Sequence, residues 1–183
     1  MEFQRYSTRL SSMPGIEYLA WIPYVPASAQ SDFEDAIRRV DLPDFAIVEI
    51  DDHGSRLPSK QHSAYAPILY VEPIAGHENL IGLDVLSTAE LRSTLGRAIR
   101  DDLPLADKPI VATAADDQNG RFAVFKPVFT THASDASDAD GGIRRLRGFV
   151  GAVFQIELRL QQAFVKPGIP LSVVSTDLFV LDG

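Results

Sequence analysis

The sequence predicts an α+β domain, a mostly antiparallel sheet with helices packed on it. Three observations carry this. Residues 121–131 (RFAVFKPVFTT) and 146–156 (LRGFVGAVFQI) are long strand-like segments joined by a polar connection, the pattern of an antiparallel hairpin. Two capped amphipathic stretches, at about 31–41 and 87–101, read as helices. The order β, α, β, β, β, α, β, hairpin, helix never settles into strand–helix alternation, so no repeated parallel crossover is expected.

The elements follow in order. Residues 2–13 place Phe3, Tyr6, Leu10 and Met13 on a narrow helical stripe suited to one partner helix, and Pro14-Gly15 stops it. The stripe fits a short surface helix and the end of a longer, trimmed stalk equally well. Residues 16–25 (IEYLAWIPYV) are strand-like. In the helix at 31–41, Ser31 and Glu34 form a capping box, and Phe33, Ile37 and Val40 share a face. FAIVEI at 45–50 is a strand with Asp52-His53-Gly54 as its turn. Residues 65–72 are a strand, with Pro67 near its start or at an edge. A turn at Gly76 leads to a strand at 80–86, and Ser87 and Glu90 box the next helix. Leu91, Leu95, Ala98 and Ile99 are its buried stripe, and Leu103-Pro104 ends it. A strand at 109–115, a turn at 116–120 and the hairpin follow. The connection 132–142 (HASDASDADGG) is small, polar and low in complexity. A helix at about 157–165, broken by Pro167 and Pro170, precedes a strand-like tail.

The totals bound the function. A chain of 183 residues fits one main domain with a small appendage, and 45% hydrophobic residues are enough for a sizeable core. A net charge of −8 argues against binding nucleic acid or anionic membrane through bulk electrostatics. Arg144, Arg145 and Arg147, the only dense basic run, read as a solvated strand entrance. The absence of cysteine excludes disulfides, thiol catalysis and cysteine metal sites. No stretch approaches the ~20 apolar residues of a membrane span, and no signal peptide is visible.

Catalytic and metal signatures are missing. His53, His62, His77 and His132 are scattered over turns and loops, with no helical pair for zinc. Asp135, Asp138 and Asp140 do not make a calcium loop, since Phe149 stands where the closing glutamate belongs. Neither a phosphate-cradling loop nor a nucleophile elbow is present. Glu72 and Asp84 fall on neighbouring segments, but nothing supplies a nucleophile or oxyanion donors. No enzyme activity, metal or cofactor is expected.

What remains suits binding. LIGLDVLS at 80–87 sets one carboxylate, Asp84, in an apolar run, where a charge is costly unless paired. Gly82 and Leu86 share its strand face. Gly151 removes a side chain on the last long strand, and Tyr70, Phe125 and Phe149 supply aromatic surface. An apolar slot with one acid suits a planar ligand that donates N–H groups. Alternatively, backbone amides at the following helix N-terminus satisfy Asp84.

The segments PGIEYLAWIPYV, DFEDAI, AYAPILYVEP, IGLDVLS, PIVAT, RFAVFKPVF and GFVGAVFQI, in this order, resemble the CHASE domain, the extracellular sensory domain of receptor histidine kinases and diguanylate cyclases. The resemblance implies the end of a stalk helix at 1–13, a membrane-distal PAS-like ligand-binding module at 14–157, and at 158–183 a connector helix with the start of a second, proximal module. It turns the N-terminal stripe into the stalk, through which a homodimer forms. It places the chain on the periplasmic or extracellular face of a membrane that its parent spans. In the plant receptors of this family the ligand is a cytokinin, whose purine bonds an aspartate in the place of Asp84. Thr113, Phe149 and Gly151 match further pocket positions, whereas AADDQNG after Thr113 departs from the plant pattern. The expected function is therefore a small-molecule sensor of a two-component or related system. The alternative is a periplasmic protein-interaction or dimerisation module with no small-molecule ligand.

Overall fold

The computed structural model of the chain describes residues 15–40, 42–51, 53–108, 121–131 and 144–155. In chain order these form β1 (Ile16–Pro23), β2 (Val25–Pro26), a helix Gln30–Val40, β3 (Val48–Ile50), β4 (Arg56–Pro58), β5 (Ala64–Tyr65), β6 (Tyr70–Glu72), a helix Ala89–Asp101, β7 (Leu105–Asp107), β8 (Arg121–Thr131) and β9 (Arg144–Gln155). The predicted class is the observed one: α+β, with a five-stranded antiparallel sheet in the order β6-β1-β9-β8-β7.

The hairpin forms as expected. β8 and β9 pair along their length, with one irregularity between Val128 and Phe129. Register then sorts side chains by face. Ile22 lies opposite Phe149 and Phe149 opposite Pro127; in the next row Ala20, Gly151 and Phe125 align, and beyond them Tyr18, Val153 and Ala123. Every member of these rows is buried. Alternation along each strand thus gives the sheet one continuous apolar face. Leu91, Leu95 and Ala98 of helix 89–101 are buried, and Leu91 and Leu95 pack in the same core as Leu83 and Val85. A second core gathers Phe45, Ile47, Tyr65 and Leu69, with Phe33 and Ile37 of helix 30–40 against it.

Several sequence expectations need correction. Val40 is 76% exposed, and of the expected stripe only Phe33 and Ile37 pack on the core, each partly buried. Glu34 does not box that helix; its carboxylate accepts from Ile47 N at 2.9 Å and pairs with Arg38 at 2.8 Å. Segment 65–72 divides between two partners, β5 pairing with β2 and β6 with β1. The helix at 89 is capped by Thr88, whose hydroxyl accepts from Leu91 N, and not by Ser87. β4 and β7 are strands of three residues that the sequence reading did not place. The largest change is at 80–86, which is not a ladder strand. A 3-10 turn, Glu78–Leu80, leads into two isolated bridges, Leu83 with Val48 and Asp84 with Pro67. The expected elements at 2–13, 109–115, 132–142 and 157–165, and the tail, lie outside the described residues.

Candidate functional site

The site begins with a carboxylate that the fold encloses. The short extended run through Asp84 is bonded on both sides. Val48 N donates to Gly82 O at 2.9 Å, and Asp84 N donates to Val48 O at 2.8 Å. On the other side Gly82 N donates to Ile68 O at 2.8 Å, Ile68 N to Leu83 O at 2.9 Å and Val85 N to Ala66 O at 3.0 Å. Wedged between two neighbours, Asp84 has no exposed surface.

Only half of this carboxylate is satisfied. Oδ1 accepts from Ala66 N at 2.8 Å and from Leu86 N at 3.0 Å, the second bond closing an Asx turn. Oδ2 is buried and has no hydrogen-bond partner among the described residues. Burial pushes the Asp84 carboxyl above its ordinary range. The amides of Ala66 and Leu86, and then the charges of His62 and Arg92, pull the other way.

His62 and Arg92 also stand on the wall of a cleft of about 250 Å³, between helix 89–101 and the chain at 62–64. Leu86, Leu95, Ile99 and Phe149 supply its apolar surface. Arg92 reaches back along its helix, its Nε and Nη2 donating to Leu86 O at 3.1 and 2.9 Å. His62 Nε2 is buried with no hydrogen-bond partner among the described residues and lies 3.8 Å from Glu49 Oε2. Glu49 is itself buried and pairs with Lys60 at 3.1 Å.

Gly96 lies on the same wall. A Cβ built there meets nothing within 4 Å. A mid-helix glycine weakens its helix by about 0.8–1 kcal/mol relative to alanine. Gly96→Ala is therefore expected to stabilise the domain by about that amount in urea denaturation. A loss of stability would show that the cleft wall is closed at this position.

A family model of the CHASE domain matches residues 1–179 of the 183-residue chain. The chain is a CHASE domain. No curated protein matches it. CHASE domains are sensory domains that face the extracellular or periplasmic side in signalling receptors, and they are not catalytic. Among the described residues no helix is long and apolar enough to cross a membrane. Nor does any group of three or more metal-ligating side chains converge among them.

Within this CHASE domain the residues singled out from sequence separate into groups. Leu86 and Phe149 line the cleft. Asp84 lies behind Leu86, joined to it by the Leu86 amide. Phe125 and Gly151 sit in the sheet core, where a Cβ on Gly151 would stand 3.2 Å from Ile22 Cδ1 and 3.5 Å from Phe125. Gly82 has φ +83°, and its absent Cβ would lie 2.3 Å from the Ala46 carbonyl oxygen, so close backbone approach accounts for this glycine. Tyr70, aligned with Trp21, packs on the second core. Thr113 lies outside the described residues. The amides that hold Asp84 belong to Ala66 and Leu86, both outside the helix that begins at Ala89, so the helix N-terminus is not its partner.

Sequence reasoning missed Arg92, His62 and Gly96 as site residues. One signal for them exists. Arg92, Gly96 and Ile99 follow i, i+4, i+7 spacing beside the core stripe, with the poorest helix former after proline at the centre.

Proposed function

We propose that this CHASE domain is the ligand-sensing ectodomain of a membrane-bound receptor of the histidine-kinase or diguanylate-cyclase type. Residues 14–157 form its PAS-like distal module, 1–13 the end of the stalk, and 158–183 the connector and start of the proximal module. A small molecule, with purines and cytokinins among the candidates, binds beside Asp84. It shifts a homodimer between two stalk arrangements, by no more than its difference in affinity for the two.

The observation that carries this reading is Oδ2 of Asp84, buried with no hydrogen-bond partner among the described residues. A buried acceptor left without a partner costs about 1–3 kcal/mol, and more when charged. A ligand N–H directed at it removes that cost. The neighbouring cleft gives such a ligand apolar walls.

The test is calorimetry and thermal shift against purines and cytokinins. A ligand at a hundred times its dissociation constant stabilises by about 2.7 kcal/mol. Asp84→Asn keeps an acceptor for the two amides but turns a donor towards the ligand, and is expected to weaken binding at least tenfold. Undiminished binding by this variant would make Asp84 purely structural. The filled core around Gly151 and Phe125 favours a second reading, a protein-interaction or dimerisation module. That reading predicts no response to any small molecule and a concentration-dependent assembly in sedimentation.

A further inference from the structure

We infer that the cleft selects a small organic acid: a monocarboxylate with an aromatic or branched aliphatic body, its carboxylate on Arg92 and its body against Leu86, Leu95, Ile99 and Phe149. This rests on the reading of the domain as a ligand sensor but not on an N–H contact to Asp84 Oδ2, which a monocarboxylate does not make; it names an alternative class of ligand for the same cleft.

The charge of Arg92 is the first argument. Its Nε and Nη2 are held by main-chain carbonyls, of Leu86 and, at 3.3 Å, Ser87. Those bonds aim the guanidinium without neutralising it. Among the described residues Arg92 has no carboxylate within ion-pair distance, and its Nη1 has no hydrogen-bond partner, in a chain with 25 acidic against 17 basic residues. Arginine matches a carboxylate in both charge and fork geometry.

The shape of the cleft is the second. About 250 Å³ lies just below the roughly 300–1,000 Å³ of drug-sized pockets, so the occupant is small. Its apolar surface excludes a fully hydrophilic anion such as phosphate as the preferred guest. Gly96, one turn beyond Arg92, keeps the wall open where any side chain would enter. The third argument concerns competing charges. His62 stands on the same cleft wall as Arg92 and brings no carboxylate to it. Asp84, behind Leu86, opposes an anion only when ionised, and its burial disfavours that form. Glu49 does not line the cleft; it pairs with Lys60 at 3.1 Å and lies 3.8 Å from His62 Nε2.

The test titrates the whole chain with benzoate and 3-methylbutanoate, and with their neutral amides and adenine, by calorimetry. The acids are expected to bind, and the isosteric amides at least tenfold more weakly. Arg92→Gln is expected to lower acid affinity at least tenfold, Arg92→Lys less, and the exposed Arg97→Gln not at all. Gly96→Leu is expected to abolish binding while the thermal transition is kept, which separates occlusion from unfolding. If amides or adenine bind as well as the acids and Arg92→Gln binds normally, the acid inference fails while the sensor reading stands. If no acid binds the parent chain, the inference fails as well, and the Asp84→Asn comparison with purines then decides the sensor reading on its own.

Discussion

Gly82→Ala is expected to destabilise the domain by more than about 3 kcal/mol, above the range of most single substitutions. Two effects add. Gly82 has φ +83°, and an L-residue in the left-handed region costs about 1–2 kcal/mol. The new Cβ would also stand 2.3 Å from Ala46 O. That oxygen belongs to backbone, not to a flexible side chain, and its strand neighbour Val48 donates to Gly82 O itself. Relief therefore requires parting Gly82–Val85 from β3, which also disturbs the Val48 bond to Asp84 N. Gly54 and Gly76 supply the control, since they have φ +80° and +86° but nothing within 4 Å of their Cβ positions. Alanine there is expected to cost only the backbone part. Urea denaturation of the three variants isolates the contact. Equal losses at Gly82 and Gly54 would mean that the Ala46 carbonyl yields, and that the segment carrying Asp84 is not pinned.

This glycine also shows where the sequence was legible and where it was not. Helix 89–101 could be read because a stripe repeated at 3.6 residues has few other meanings; of the expected stripe Leu91, Leu95 and Ala98 are buried and Ile99 is half-buried. The β8–β9 hairpin could be read because two arms of about eleven residues outlast chance alternation. An apolar run such as LIGLDVLS carries no period, so it does not distinguish a strand from a turn-bridge-turn path. Positive φ at Gly82 decides the path, and that depends on Ala46, thirty-six positions earlier in the chain. β4 and β7 are too short to show alternation. At the site, the burial of Asp84 is visible in its apolar neighbours, but its partner amide at Ala66 comes from a segment whose local sequence reads as one unbroken strand. Tyr70, expected to lend aromatic surface to the slot at Asp84, packs on the second core, since register, which sets it opposite Trp21, is fixed by strand pairing and not by local sequence. Arg92 and His62 meet only through the tertiary fold.

Asp84 itself makes the second large prediction, in which asparagine and alanine part company. Asp84→Ala leaves the buried Ala66 N without an acceptor, at about 1–3 kcal/mol, and the half-buried Leu86 N at less. Asp84→Asn retains that acceptor and removes the charge. The sign of the pH effect follows from the direction of the shift. Burial raises the folded carboxyl above its unfolded value. Below the ordinary aspartate range both states hold the proton, and parent and asparagine variant have similar stability. As pH rises through that range the unfolded chain releases its proton first, so unfolding becomes easier by up to about 1.4 kcal/mol per pH unit. The loss continues until the folded carboxyl also ionises and then levels off. At neutral pH the expected order of stability is asparagine, then the parent, then alanine. In acid the first two converge and alanine stays below them. Denaturant unfolding of the three chains from about pH 3 to 8 checks this directly. A parent that gains on the asparagine variant as pH rises would show that Arg92 and His62 hold the carboxylate charged against burial. Oδ2 would then be an ion-pair partner of the cleft wall and not an acceptor kept for a ligand. A ligand that donates to Oδ2 changes the same experiment in a defined way. It binds the ionised folded form preferentially, so at saturation the parent's loss with rising pH shrinks, while the asparagine variant responds little.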